Sequence, residues 1–277
     1  NSKVKVTPIN CTFSVESLFH KLQGTPMKYI KGLIVLVICI STNALAAETP
    51  KKLTPFVENV LTHVILHEFG HAMFREFEIP ILGNEEVQAD SFATFYTVRH
   101  FNQRAYDIVS ARAKSWFVED SENSFQDFSG EHPLDIRRGY QVMCWVYGAE
   151  PNALGDSIQW LNFSDRDLAD CRDTGADQID SWNKVLPNRD TVVKSRINVI
   201  FGEGPYKKVV KKSRLFEKLA QHFRGYPWPE TITLHFDHCS EGASWNRHKR
   251  RILICDNHVE RFFEQETKLE QVKLVAN

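Results

Sequence analysis

The 277-residue chain is almost neutral: it has 34 Lys and Arg against 35 Asp and Glu, a formal net charge of −1. This balance provides no general attraction to nucleic acid or to an anionic membrane surface, so neither is expected as a partner. About 230 residues follow the N-terminal leader, which suits one domain, or two small ones, with an ample core.

The first predicted element is a signal peptide at 27–46, "MKYIKGLIVLVICISTNALA". Two lysines precede its apolar core, and small residues at its end form a cleavage site. The apolar run at 32–40 is too short for a membrane span, which needs about 20 residues. We interpret 1–26 as an upstream extension and expect cleavage to release 47–277 to the periplasm or the medium, with no stable membrane span. The alternative is a short buried core helix.

The stretch "HVILHEFGHAMF" at 63–74 predicts a helix with an apolar stripe. His67 and His71 are four residues apart and therefore lie one turn above the other on the same face. His-Glu-x-x-His on a helix offers a zinc ion two imidazoles, with the glutamate, here Glu68, beside the reactive water. The alternative is a buried amphipathic helix with paired polar groups.

A third histidine, His63, extends this row by one turn. The row spans about 12 Å at about 1.5 Å of rise per residue, whereas zinc–nitrogen bonds are about 2.0–2.1 Å long. One ion can therefore take only two neighbouring histidines, and the position of Glu68 favours His67 and His71. We expect His63 to be a core residue or to support the site from behind, with a ligand role as the alternative.

A second helix is predicted from residue 85 to about 100. Pro80 forbids continuation of the first helix, Gly83 allows the chain to reverse, and Asn84 is a plausible N-cap. The two helices should therefore form a short hairpin.

Two carboxylates on one face of the second helix are candidates for the metal site. Glu86 is placed to complete a His-His-Glu set and leave a fourth position open. Asp90, one turn on, is placed to accept the spare N–H of His67 and fix its tautomer. Glu85 lies about 100° round the helix and is expected to point elsewhere. The alternative is an ordinary exposed acidic face.

"HEFGHA" followed by "EVQAD" resembles the gluzincin-type zinc peptidases, in which Glu-x-x-(Ala/Ser)-Asp supplies the third ligand and its supporting aspartate. More closely, "HEFGHAMF…PILGNEEVQADSFA…HPLDIRRGYQVMCWVYG" is similar to a bacterial metallopeptidase family, the domain of unknown function 4344, over about 53–256. The resemblance implies a zincin-like helical hairpin with His67, His71 and Glu86 as zinc ligands and Glu68 as catalytic base. One Zn²⁺ per chain is expected, because only one such set of ligands is present.

The segment 130–140, "GEHPLDIRRGY", is predicted as a Gly/Pro-marked loop that enters a helix, and it offers donors for the oxyanion that forms during hydrolysis of a peptide bond. The candidates are His132, Arg137, Arg138 and Tyr140, of which we choose His132 as a second catalytic residue. The alternative is a helix cap with ordinary surface charges.

Four cysteines follow the leader, an even number that an exported compartment allows to form disulfides. Cys144 and Cys171 lie in successive helical patterns, whereas Cys239 and Cys255 follow two strand-like runs. We predict disulfides 144–171 and 239–255. Free buried thiols are the alternative.

The predicted fold class is mainly α with a small β element (α+β). Helical patterns dominate a catalytic part at about 53–186, and the C-terminal part at about 187–277 mixes a helix at about 214–223, two strands and a last helix. The basic run "KKVVKKSR" at 207–214 is read as a solvated loop or strand edge rather than a binding patch.

Together these patterns predict an exported zinc metallopeptidase that acts on peptides or proteins. Two other classes remain open. One is an inactive zinc-binding or interaction module of the same fold; the other is a zinc amidohydrolase for a non-peptide amide.

Overall fold

The computed structural model describes residues 50–123, 130–189 and 196–276. These all belong to one compact unit, Glu48–Asn277. The predicted extension and signal peptide, 1–46, lie outside the described residues. Within the described ranges, none of the helices combines the length and apolarity needed to cross a bilayer.

Helices make up most of the described chain, and a four-stranded sheet lies towards its C-terminal end, so the predicted α+β class is confirmed. The helices are α1 (Pro55–Glu76), α2 (Glu85–Phe101), α3 (Ala105–Glu122), α4 (Asp135–Ala149), α5 (Pro151–Leu154), α6 (Asp165–Val185), α7 (Lys207–Ser213), α8 (Leu215–Phe223) and α9 (Asp256–Ala276). The strands are β1 (Ile197–Phe201), β2 (Ile232–Asp237), β3 (Ala243–Asn246) and β4 (Arg251–Cys255). Short 3₁₀ turns occupy Asn102–Arg104 and Gly155–Leu161.

Helix α1 lies at the centre of the unit. Thr54 caps it by accepting a hydrogen bond from the backbone N–H of Val57. Pro55 occupies the first turn, where the backbone N–H that proline lacks would have no partner within the helix. Nearly every side chain from Val57 to Phe74 is buried, because α2, α3, α8, α9, β3 and β4 all pack against this helix. A helix enclosed in this way must be apolar on most faces, so its few polar side chains need partners.

Helices α1 and α2 form the predicted hairpin. Asn84 caps α2 by accepting from the backbone N–H of Val87. The two helices approach closely at Gly70, where an added Cβ would lie 3.0 Å from a ring carbon of Phe92. This close packing fixes the relative position of the two predicted motifs.

The sheet has the strand order β1-β2-β4-β3. Strands β1, β2 and β4 are parallel, and β3 runs antiparallel to β4 with Trp245 opposite Ile252. The apolar core is continuous from α1 into this part of the chain, where the ring of Phe69 stacks on that of Phe223 at 3.9 Å. The C-terminal segment is therefore packed directly against the motif-bearing helix.

Both disulfides have the predicted pairing, Cys144–Cys171 and Cys239–Cys255. The first joins α4 to α6 beside a close approach, since a Cβ on Gly148 would lie 1.8 Å from the backbone oxygen of Cys171. The second ties the end of β4 to the turn after β2.

Two features of the C-terminal part differ from the sequence predictions. The prediction that the basic run is a loop or strand edge is wrong. The run forms α7, with Val209 and Val210 buried beneath its lysines. Strands β1 and β3 were also missed. They are short, and β3 is only partly buried, so their patterns are weak.

Candidate metal centre

The structure brings the three predicted ligands together at the α1–α2 hairpin. The Nε2 atoms of His67 and His71 are 3.1 Å apart. The Glu86 carboxylate lies 3.1 Å from His67 Nε2 through one oxygen and 3.4 Å from His71 Nε2 through the other. All three side chains are buried. They are the residues of the described chain that are grouped closely enough to hold a metal ion.

These separations fit a tetrahedral metal ion. Metal–ligand bonds of about 2.0–2.1 Å, as for zinc, place the ligand atoms of a tetrahedron about 3.3 Å apart. Three protein ligands leave one position for a further group. Two imidazoles and a carboxylate also form a donor set that zinc accepts.

The tautomers of the two histidines support the same conclusion. His67 Nδ1 lies 2.8 Å from Asp90 Oδ1, and His71 Nδ1 lies 3.0 Å from Glu85 Oε1. An Nδ1 that donates to a carboxylate leaves the Nε2 lone pair free in the neutral ring. Both lone pairs are then directed at one point beside the Glu86 carboxylate. A cation at that point would be attracted by all three groups.

Asp90 supports His67 and is itself held by a buried arginine. Arg138 donates to both Asp90 oxygens, from Nε at 2.8 Å and from a terminal nitrogen at 3.0 Å. Burial alone would raise the Asp90 pKa, but Arg138 and His67 hold it well below its usual range. Burial alone would lower the pKa of His67, but Asp90 and Glu86 raise it to about 9. These carboxylates therefore favour positive charge at His67, whether a proton or a bound cation supplies it.

Glu85 does not point away from the site, so that expectation is wrong. One of its oxygens accepts from His71 Nδ1, and the other forms an ion pair with Arg75. Its side chain is 28% exposed, whereas that of Asp90 is 4% exposed. Glu85 and Arg138 are the supporting residues that sequence reasoning missed. The sequence feature that could have identified Glu85 is its position one residue before the predicted ligand Glu86, at the start of a helix that runs beside His71.

Glu68 lies in the cleft, beside the two histidines but outside their ligand cluster. It lines the cavities on both sides of the metal centre together with His67 and His132. Burial raises its pKa, although the neighbouring histidines oppose this. A carboxylate in this position is able to exchange protons with a group held at the metal centre.

His132 also reaches the cleft, on the loop that precedes α4. Its Nε2 lies 3.0 Å from Glu86 Oε2, and its side chain is 55% exposed. The loop is held in place by Asn84, whose side-chain amide donates to the backbone oxygen of Glu131. The other candidates, Arg137, Arg138 and Tyr140, lie in α4, where Arg138 is committed to Asp90 and Tyr140 packs on Phe117.

His63 lies one turn away from the ligand cluster and does not join it. It is fully buried, with its ring edge-on to Trp116 at 5.7 Å between centroids. Burial lowers its pKa to about 3, so it is neutral near pH 7.

The metal centre opens on both sides into a cleft. One cavity, of about 340 Å³, is bounded by residues of strand β3 such as Ser244 and Trp245. The other, of about 360 Å³, extends between α1, α3 and α4. His67 and Glu68 line both cavities, so the candidate metal centre is reached from each of them.

A buried His-Glu-x-x-His helix joined by a glutamate from a second helix is the arrangement typical of metallopeptidases. Comparison with known families agrees with this class. The sequence model of DUF4344, described as "Putative metallopeptidase", matches residues 37–186. The match spans more than half of the chain, and the protein belongs to this family. It is accordingly an enzyme of the metallopeptidase type, for which a peptide is the implied substrate.

The family match contains the whole hairpin and the loop of His132 but ends before β1. The resemblance seen in the sequence continued to about residue 256, and that extension stays a prediction. Searches of curated proteins and of solved structures return no match.

Proposed function

We propose that the protein is an exported, zinc-dependent peptidase that hydrolyses peptide bonds and holds one zinc ion per chain with His67, His71 and Glu86. The observation that carries this proposal is the convergence of the two Nε2 atoms and the Glu86 carboxylate at 3.1–3.4 Å while both Nδ1 atoms face carboxylates. When bound, zinc supplies a Lewis acid that activates water and polarises a carbonyl group.

Glu68 is the proposed general base. Its carboxylate accepts a proton from the attacking water and then donates it to the leaving amine. Burial raises the pKa of Glu68, and a carboxylate of higher pKa takes up a proton more readily.

His132 is the proposed second catalytic residue. Its exposed imidazole reaches the edge of the ligand cluster, where an N–H can donate to the oxygen of a substrate carbonyl as negative charge develops there. Changing His132 to Phe should lower kcat while leaving zinc content unchanged.

Export is proposed from the signal-peptide pattern at 27–46 and from the two disulfides, which form and persist in oxidising compartments. The proposed mature region, 47–277, is one metallopeptidase-like domain. Its helical part, about 53–186, supplies the metal ligands, and the C-terminal part, about 187–277, contributes β3 to the wall of the cleft.

The proposal is tested by loading the purified protein with one equivalent of zinc and incubating it with a mixed peptide library. Cleavage products, identified by mass spectrometry, should appear and should disappear when a chelator is added. Tight zinc binding without cleavage would favour an inactive binding module. Hydrolysis of non-peptide amides alone would favour an amidohydrolase.

A further inference from the structure

The 360 Å³ cavity beside the metal centre reaches from the reactive residues to a pair of buried arginines. It begins at His67 and Glu68 and extends one turn of α1 towards its N-terminus, about 6 Å, as far as His63. We call this cavity the arginine pocket. The residues that line its inner part include His63, Arg112, Trp116 and Arg138.

Arg112 has spare hydrogen-bonding capacity. Its side chain is 9% exposed and lies over the ring of Trp116. One terminal nitrogen donates to Ser115 Oγ at 2.9 Å, but the nearest carboxylate, that of Glu119, is 3.6 Å away. Glu119 instead accepts from Gln265 at 2.9 Å. A guanidinium has five N–H donors, and among the described residues Arg112 forms one hydrogen bond, to Ser115, and one ion pair, with Glu119.

Other groups in the wall also lack acceptors. Within the described chain, the indole N–H of Trp116 and both ring nitrogens of His63 are buried without a hydrogen-bond partner. His63 and His258 are neutral near pH 7, since burial lowers their pKa values to about 3 and about 4. Away from the metal centre, the arginines therefore supply the positive charge of the pocket.

Among the described residues, Arg112 forms one ion pair, with Glu119 at 3.6 Å, and Glu119 does not line the pocket; none of the carboxylates that do line it is paired with Arg112. Asp90 is held by both donors of Arg138 and by His67. Asp135 is half-buried at the start of α4 and forms no ion pair with Arg112 within 4 Å. Glu241 is exposed at the outer edge, where water screens it. A buried guanidinium with free donors next to a reactive centre is best matched by a carboxylate, which accepts two parallel N–H bonds.

We propose that the arginine pocket is a substrate subsite that binds a carboxylate of the peptide, with Arg112 as the residue that determines specificity. The carboxylate belongs to an acidic side chain next to the cleaved bond or to a free C terminus. This inference rests on the proposed peptidase function, because it takes the cleft to be the place where peptides bind.

The test measures binding separately from turnover. Zinc-loaded Glu68→Gln protein is titrated calorimetrically with short peptides that carry one Glu or one Gln at successive positions, all with amidated C termini. A second series compares free-acid and amidated Gln peptides. Charge-assisted hydrogen bonds predict about 10- to 100-fold tighter binding of a carboxylate in at least one series. The series that shows the preference identifies the source of the carboxylate. Equal binding in both series, or tighter binding of Lys or Arg peptides, would overturn the proposal.

Variants of the pocket identify the residue responsible. The double change Arg112→Gln and Glu119→Gln removes the guanidinium without leaving a buried carboxylate unpaired, and it should abolish the preference while retaining binding of the neutral peptide. Glu119→Gln alone is the matched control: it keeps the guanidinium and removes the carboxylate 3.6 Å from it, so the preference should strengthen, as in Asp135→Asn. Asp135→Asn removes a neighbouring negative charge and should strengthen binding of the carboxylate peptide by a few-fold.

Circular dichroism and zinc content establish that each variant is folded. An unchanged preference in the double variant would contradict the role of Arg112. If Glu68→Gln protein shows the binding preference but the parent protein cleaves no peptide, the subsite is supported and the proposed peptidase function is contradicted. Zinc-dependent cleavage without any preference would do the reverse.

Discussion

Arg138 holds Asp90 through two parallel hydrogen bonds of 2.8 and 3.0 Å, and Asp90 in turn accepts from His67 Nδ1 at 2.8 Å. The orientation of a proposed metal ligand is thus set by a residue 48 positions away from Asp90 in the chain. Arg138 lies in the first turn of α4, so the metal centre depends on the packing of α4 against α2.

Asp90→Asn should weaken zinc binding about 10- to 100-fold. An amide is a poorer acceptor for the His67 N–H, and it offers Arg138 one acceptor oxygen instead of two. Competition with a chromogenic chelator measures the affinity. The exposed Asp107→Asn is a matched control and should bind zinc as the parent does. Equal affinities for the two variants would show that Asp90 does not support the metal site.

Glu85→Gln should also weaken zinc binding, by about tenfold or less. The reason is that Glu85 holds His71 as Asp90 holds His67, but its side chain is more exposed, so that water can replace it. Glu86→Gln should remove most of the affinity. The same chelator assay ranks the two variants against Glu78→Gln, an exposed control. A larger loss for Glu85 than for Glu86 would contradict the assigned ligand set.

Glu68→Gln should leave zinc content unchanged and lower kcat by about 10²–10⁴-fold, because it keeps the shape of the side chain but removes the base. Metal analysis and peptide cleavage on the same preparation provide both readouts. Glu58→Gln, near the start of the same helix, should change neither. A Glu68→Gln variant that cleaves peptides at the parental rate would disprove the mechanism even if zinc is bound as proposed.

Loss of either disulfide should lower the free energy of unfolding by about 3 kcal/mol, as loop-closure entropy predicts for bridges of 27 and 16 residues. Paired Cys→Ala variants, unfolded in urea, measure each loss. Loss of Cys239–Cys255 should in addition raise KM, because the turn after Cys239 contributes Glu241 and Ala243 to the cleft. The Cys144–Cys171 variant is the control for that effect. If KM changes equally in both, the second bridge has no specific role in shaping the cleft.

Stability should fall as the pH is lowered from about 6.5 towards 4, partly because of His258. Burial lowers its pKa from 6.5 to about 4, so in this range the unfolded chain takes up a proton that the folded chain does not. The contribution approaches about 1.4 kcal/mol per pH unit within that window. His67 has the opposite shift, so its contribution is complete below pH 6.5 and is lost only as the pH rises towards 9.

Urea unfolding of metal-free protein at several pH values tests this prediction. The His258→Gln variant should lose less stability than the parent between pH 6.5 and 4. The exposed His248→Gln is its control. Identical pH dependence in His258→Gln and the parent would show that His258 does not remain neutral in the folded protein.

Local periodicity was sufficient to predict the α1–α2 hairpin and the residues that meet there. His67 and His71 share a face because a helix repeats every 3.6 residues, and Asn84 marks the start of the next helix because its side chain can cap it. The disulfide pairing also followed from local order, since each pair joins elements that are close in the chain.

Contacts between distant segments could not be inferred in the same way. Whether Glu85 faces solvent or His71 depends on how α2 is rotated against α1, and the close approach at Gly70 sets that rotation. Strand β3 is short and half-exposed, and only its pairing with β4 shows that it borders the cleft. The sequence by itself thus determined which residues can hold a metal, because those lie on one hairpin. The tertiary structure decided which residues support them and what surrounds the arginine pocket, because Arg112, Arg138 and His258 come together only when α3 and α9 pack on α1 and α4 packs on α2 and α3.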